Sequence, residues 1–378
     1  MTKANNHQNE KKMLFRLIKL IVRYTTLFVS LGLLVSYTSS VIPPQKFWYL
    51  QLFGLAYPAL LVATILLTIL NFLLNRRFAF SILVLVIGTF THAKYFGIDF
   101  KSPDLTTYSE KEIKVMSFNV RLFDAYKFLT PELVDSKGEF TELFKSESPD
   151  ILSIQEYAED ESNKRIISPE EIKKAGGFKY HTTTMTLELK KMFSGQAIYS
   201  KYPIIHSEII SDSTQTIRSL FADIVKGKDT IRVYNCHLES IRFQKDEYSL
   251  FDTEVASTKT YSSRIKGLVS KLKKAYPLRA DQAQKIIDHV LTSPYPVIIN
   301  GDLNDPPTSY VYSMFNKHFK DAFYEGSLSM TRTYAGKVPA GRIDYIFHNE
   351  YFAPVSFKTW KKKVLSDHYP VMASFRMR

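Results

Sequence analysis

Residues 296–305 read Pro-Val-Ile-Ile-Asn-Gly-Asp-Leu-Asn-Asp. A short apolar run closed by glycine and then by acids and an amide reads as a buried strand with its chemistry at the C-terminal end. In an extended chain residues two apart point the same way, so Asp302 and Asn304 are expected to present two oxygen-bearing groups to one place. Taking a carboxylate out of water costs several kcal/mol unless a cation or a donor meets it, so convergence on a metal ion or an anion is the economical reading.

The same ending recurs outward from this stretch. Asn119 closes VMSFNVR, Glu156 closes PDILSIQE, His237 sits in YNCHLES, Asp344 in GRIDYIF, and Asp367 with His368 in LSDHYPV. Any one of these alone has the ordinary reading of a turn or cap residue. Together they mark one site. Period-two or fully apolar runs at 113–123, 151–155, 196–200, 219–225, 230–238, 296–300, 343–348, 355–360 and 370–376 predict strands, and Lys226-Gly227-Lys228-Asp229 predicts a hairpin turn. Helical spacing appears at 279–291 and more weakly at 309–317. Many strands with few helices predict an α+β domain of two packed sheets with helices outside.

With these residues in hand, the chain resembles the endonuclease/exonuclease/phosphatase superfamily, the group that includes deoxyribonuclease I. The strings SFNV, IQE, HL, GDLND, RIDYI and SDHYPV stand in that family's order across about residues 112–378. The resemblance implies a four-layer sandwich of two mainly antiparallel sheets flanked by helices. It implies that Glu156 is the principal ligand of a divalent cation, with Asn119 and Asp367 near the same centre. Asp302 and Asn304 would orient the attacking water and hold a phosphate oxygen. His368 would be the catalytic imidazole fixed by Asp344, and His237 the second histidine of the deoxyribonuclease, sphingomyelinase and phosphatase branches. Asn119, Asn304 and His237 would thus also face the substrate. The residue chemistry agrees independently: the proposed metal ligands are all oxygen donors, which suits Mg2+ or Mn2+ better than Zn2+. His368 and Asp302 both remain open as the general base.

The first hundred residues differ in kind. The chain has 378 residues with 50 Lys+Arg, 37 Asp+Glu and one cysteine, a composition that excludes disordered and disulfide-stapled classes. Residues 1–100 hold only two of the acids, Glu10 and Asp99, so most of the formal +13 belongs to this apolar segment and is no sign of nucleic-acid binding. Uncharged runs at 24–45, 47–75 and 78–93 predict about three transmembrane helices over residues 1–100, followed by a catalytic domain over 101–378. A cleaved signal peptide is the alternative for the first run. Basic residues before the first run and at Arg76 and Arg77 put the N-terminus in the cytoplasm, and three crossings would deliver the catalytic domain to the periplasmic or cell-surface side.

Cys236 beside His237 does not make a nucleophile pair, since strand neighbours face opposite ways, and it reads as a core thiol. Residues 241–280 carry nine Lys/Arg against four Asp/Glu, with Ile265, Leu268, Val269 and Leu272 at helical spacing; an anionic lipid or substrate contact and an ordinary surface helix are both open there. Phe243, Tyr248, Phe251, Tyr261 and Tyr276 are candidates for base stacking or for plain packing. The expected function is a membrane-anchored, extracytoplasmic, Mg2+-dependent phosphoesterase that favours phosphodiesters, binds the bilayer through its N-terminal helices and needs no obligate protein partner. The alternatives are a nuclease acting on extracellular DNA or RNA, and a non-catalytic anion-binding module.

Overall fold

A computed structural model describes residues 2–75, 79–97, 112–125, 136–160, 166–189, 192–211, 219–241, 258–326, 331–336 and 341–378. It divides into two units, Met1–Lys94 with Thr308–Tyr310, and Tyr95–Pro307 with Val311–Arg378.

The first unit contains α1 (Thr2–Thr38), α2 (Pro44–Phe47), α3 (Leu50–Asn75), α4 (Ala79–Ile87) and α5 (Thr89–Ala93). Its burial is inverted relative to a water-soluble bundle. Thr26, Ser30, Thr64, Asn71 and Ser81 are buried, whereas Phe28 and Leu73 are 68% and 70% exposed. Small polar residues between helices with large apolar ones outside is the arrangement lipid favours. Two helices are long and apolar enough to cross a membrane, Asn9–Thr38 and Leu50–Asn75. The third expected span is corrected. Its run forms only α4 and α5, nine and five residues long, about 14 and 8 Å against a hydrocarbon core of about 30 Å. The break falls at Gly88, where a Cβ would stand 2.2 Å from the Tyr37 hydroxyl oxygen, so glycine is what admits Tyr37 this close. This segment nevertheless travels along the bundle. Asn75 Nδ2 donates to the carbonyl of Lys19 near one end, while Tyr37 Oη donates to Val84 and the Tyr57 hydroxyl meets His92 near the other.

The second unit begins with β1 (Glu112–Asn119), α6 (Ser136–Glu147), β2 (Ile151–Asp160), α7 (Pro169–Gly176), β3 (Tyr180–Leu189), β4 (Met192–Ser200), β5 (Ile204–Ile210), β6 (Ser219–Lys226) and β7 (Asp229–His237). It continues with α8 (Thr258–Leu291), β8 (Val297–Asp302), α9 (Tyr310–His318), β9 (Lys320–Asp321), α10 (Ala322–Gly326), β10 (Asp344–His348), β11 (Phe352–Thr359) and β12 (Val371–Met377). Two six-stranded sheets result, ordered β11-β12-β1-β2-β4-β3 and β5-β6-β7-β8-β10-β9. Each has one parallel pair, β1 with β2 and β7 with β8, and is otherwise antiparallel.

Alternation along the central strands builds the space between the sheets in layers. Ile113, Val115, Ile151, Val233 and Ile298 form an apolar layer. Further along the same faces turn polar: Ser117 and Asn235, two residues on, and Gln155, four residues on from Ile151, are joined by hydrogen bonds of 3.0 and 2.6 Å from the Gln155 amide, and Asn300 pairs with Asn235 across the strands. Two residues further again stand Asn119, His237 and Asp302, with Asp344 opposite Asp302 on β10. The other face of the first sheet, with Phe118 and Ile154, packs with Phe140, Phe144 and Ile172 of α6 and α7.

Candidate active site

Strand ends meet backbone strain at this top layer. β1 stops at Asn119 rather than running on to residue 123, and Arg121, Leu122, Phe123 and Asp124 follow with φ of 45 to 56°. β2 breaks register against β4 between Ile154 and Tyr157, and Glu156 sits in that irregularity with φ of 48°. β8 ends at Asp302, and Asn304 takes φ of 55°. Left-handed backbone at non-glycine residues costs roughly 1–3 kcal/mol each, and here it coincides with the polar cluster. The extended spacing expected of Asp302 and Asn304 is therefore replaced by a turn: Asn304 N donates to Asp302 Oδ1 at 2.8 Å, and the Asn304 amide donates to the Leu238 carbonyl at 3.0 Å. Gly301, at φ 140°, permits the approach of β7, since a Cβ there would lie 1.9 Å from the Cys236 carbonyl oxygen.

Asp302 is the hub. Asn119 Nδ2 donates to its Oδ2 at 3.1 Å, and His237 Nε2 and His368 Nε2 stand 3.7 and 3.6 Å from the same atom. His237 Nε2 is also 3.7 Å from Glu156 Oε1, and Asn119 Nδ2 is 3.4 Å from it. His368 Nδ1 faces both Asp344 oxygens, at 3.0 and 3.1 Å. A carboxylate only accepts, so Nδ1 carries the proton. Tyr334 packs edge-on against the same imidazole, and Asp344 N is anchored by Thr333 Oγ1. Ser366 Oγ donates to the Asn119 carbonyl at 2.8 Å, tying the Asp367 loop to β1.

Burial sets the protonation. It pushes Asp302 up to about 6, with Asp344 adding to the rise and His368 and His237 opposing it. Burial raises Glu156, and the nearby Asp367 carboxylate raises it further. Burial lowers His237. It would lower His368 too, yet Asp344 and Asp302 outweigh it and hold that imidazole well above its usual range.

Asp302, Asp344 and His368 could by themselves hold a cation, each offering an atom within 4.8 Å of the others. The imidazole occupies both Asp344 oxygens, however, so the Glu156 and Asp367 carboxylates are the better cation donors, while Asn119 turns its amide nitrogen to Glu156 and its oxygen to the Arg121 N–H. Glu156 and Asp367 repel one another, and the Glu156 side chain is 34% exposed. An oxygen donor set with two carboxylates repelling one another, only partly offset by Arg121, and an open side fits Mg2+ or Mn2+, which keeps several waters.

A model of the endonuclease/exonuclease/phosphatase family matches residues 116–368. The chain belongs to the endonuclease/exonuclease/phosphatase family. Solved structures similar to this family member include an endonuclease/exonuclease/phosphatase from Beutenbergia cavernae DSM 12333, with TM-score 0.52, 19% identity, and 70% of this chain and 72% of that one covered. One from Bacteroides vulgatus gives TM-score 0.48, 14% identity, and 71% and 99% coverage. Humanized D. rerio TDP2, carrying 14 mutations, gives 0.45, 16%, and 70% and 99%. At such identities the likeness is one of fold. Residues 18–95 match a domain of unknown function (DUF8431). No curated protein matches the chain.

For this endonuclease/exonuclease/phosphatase domain, sequence reading had overlooked Arg121. Its Nε lies 3.7 Å from Asp367 Oδ2, and its buried Nη1 has no hydrogen-bond partner among the described residues. The left-handed turn that aims it has no glycine to announce it. Cys236 is fully buried and its thiol is pushed up to about 12 by burial, as a core residue. Tyr276 is buried and packs, Phe243, Tyr248 and Phe251 lie outside the described residues, and the side chain of Tyr261 does too.

Proposed function

We propose that this family hydrolase is a membrane-anchored, divalent-cation-dependent phosphoesterase, favouring phosphodiesters, with residues 101–378 as its catalytic domain. The observation that carries this reading is the meeting of Asn119, His237 and His368 around one Asp302 oxygen, with Glu156 beside Asn119 and His237. A cation held by Glu156 and Asp367, beside Asn119, would neutralise charge on the phosphate. Asp302, ionised at neutral pH, accepts the proton of the attacking water while Asn304 holds its carboxylate through the backbone N–H. His368, kept protonated by Asp344, donates to a non-bridging or leaving oxygen, and His237 and the free guanidinium edge of Arg121 supply further donors.

The inverted burial of α1 and α3 supports the anchor. With α1 and α3 as the two crossings the catalytic domain would return to the side of the N-terminus; the extracytoplasmic placement expected from three crossings would need the shorter α4 and α5 to complete a third. Detergent-solubilised full-length protein should hydrolyse a bis-aryl phosphodiester faster than the aryl monoester, in Mg2+ or Mn2+ and not in chelator. Plasmid DNA, RNA and phospholipid vesicles in the same panel separate a nuclease from a lipid enzyme, and inactivity on all substrates with retained phosphate binding favours the non-catalytic module. Activity that survives both Glu156→Ala and His368→Ala overturns the site.

A further inference from the structure

The basic stretch singled out in the sequence becomes, over its described part, one end of the 34-residue α8, and the two halves of that helix differ. From Leu272 onward Leu272, Ala275, Tyr276, Ala283 and Ile286 are buried. Between 262 and 271 no residue is buried. The apolar stripe does not stop where burial stops. Ile265, Leu268 and Val269 fall on the same face as Leu272 and Tyr276 at the helical period, yet Ile265 is 40% exposed and Leu268 and Val269 are half-buried. Arg264, Lys266, Lys271, Lys273 and Lys274 flank the stripe, and no acid occurs in the helix before Asp281. For about 15 Å the helix thus carries an aliphatic stripe bordered by positive charge past the point where the described residues of its own domain bury it.

We infer that this end of α8 docks on an anionic lipid surface. Aliphatic side chains ringed by lysines match the boundary between acyl chains and anionic headgroups, which takes both kinds of group at once. A nucleic-acid backbone would engage the lysines and leave Ile265, Leu268 and Val269 in water. The inference rests on the membrane-anchored reading. Residues 95–111 alone link the first unit's last helix to β1, a tether of at most about 60 Å, so an anchored domain stays within reach of the bilayer.

The test uses the full chain in nanodiscs of phosphatidylcholine, with and without phosphatidylglycerol, and reads amide hydrogen exchange across 262–271. Exchange should slow at least about tenfold with phosphatidylglycerol, recover in high salt, and stay fast when Lys266, Lys271, Lys273 and Lys274 are all changed to Gln. An Ile265→Ser variant, with every lysine kept, should recover part of the exchange. Equal exchange in both kinds of disc overturns the inference, as does slowing by a soluble oligonucleotide but not by phosphatidylglycerol. A chain that fails to enter discs at all overturns the anchor instead, and the two failures are distinct.

Discussion

His368 turns Nδ1 to both oxygens of Asp344 and Nε2 to Asp302, so one imidazole spans two carboxylates on adjacent strands. Asp344→Asn removes the charge that holds the ring protonated and lets the amide donate to Nδ1, favouring the opposite tautomer. The kcat for a bis-aryl phosphodiester should fall about 10²- to 10⁴-fold with KM little changed. A loss confined to KM would contradict the assignment.

Asp302 makes stability and activity respond oppositely to pH. Its folded value, about 6, lies above that of an unfolded aspartate. The folded chain therefore binds the proton more tightly, and this contribution is complete below about pH 4 and lost as pH rises through about 6. In chelator, the melting temperature of the wild type relative to Asp302→Asn should drop across that interval. As the proposed acceptor of the water proton Asp302 must be ionised, so activity should rise over the same range. Added Mg2+ or Mn2+ should stabilise the protein above pH 6 and have little effect near pH 4, as differential scanning fluorimetry would show.

Glu156→Gln keeps the shape and removes one negative charge. The Mn2+ concentration for half-maximal activity should increase by more than about 100-fold, while thermal stability in chelator is unchanged or higher, because the Asp367 repulsion is gone.

Arg121→Leu removes a donor that has spare hydrogen-bonding capacity beside the site. A charged hydrogen bond to phosphate contributes about 1.5–3 kcal/mol, so KM for the diester should rise roughly 10- to 100-fold. Arg121→Lys should recover only part of it. An unchanged KM assigns Arg121 to the Asp367 ion pair alone.

Beneath the Asp302 layer, both amide atoms of Asn300 and the Gln155 carbonyl oxygen are buried without a partner among the described residues. Buried polar atoms in that state are normally met by water. A crystal structure should show ordered water between Asn300 and Gln155, and Asn300→Leu should exclude it.

The family fold and the site cluster were legible because GDLND, IQE and SDHYPV concentrate acids, amides and imidazoles at the ends of apolar strands. What escaped was set by contacts distant in sequence. β3 is rich in Thr and β5 alternates only loosely, so neither showed a clean apolar face, although both pair at sheet margins. The helices α6 and α7 carry charged faces and few apolar residues. The run at 78–93 has the composition of a membrane span, but it forms only the nine-residue α4 and the five-residue α5, broken at Gly88. The strand after residue 112 looked continuous to Phe123 because nothing in Val-Arg-Leu-Phe-Asp signals a left-handed turn.

The turns at Glu156 and Asn304 hold their side chains in place against the preference of their own backbones. Glycine would relax either turn and abolish its contribution to the chemistry. A descendant released from the reaction would thus gain by mutation at these two places before the hydrophobic interior began to change. Glycine at 156 or 304 in a relative would mark a lineage that kept the scaffold and retired the enzyme.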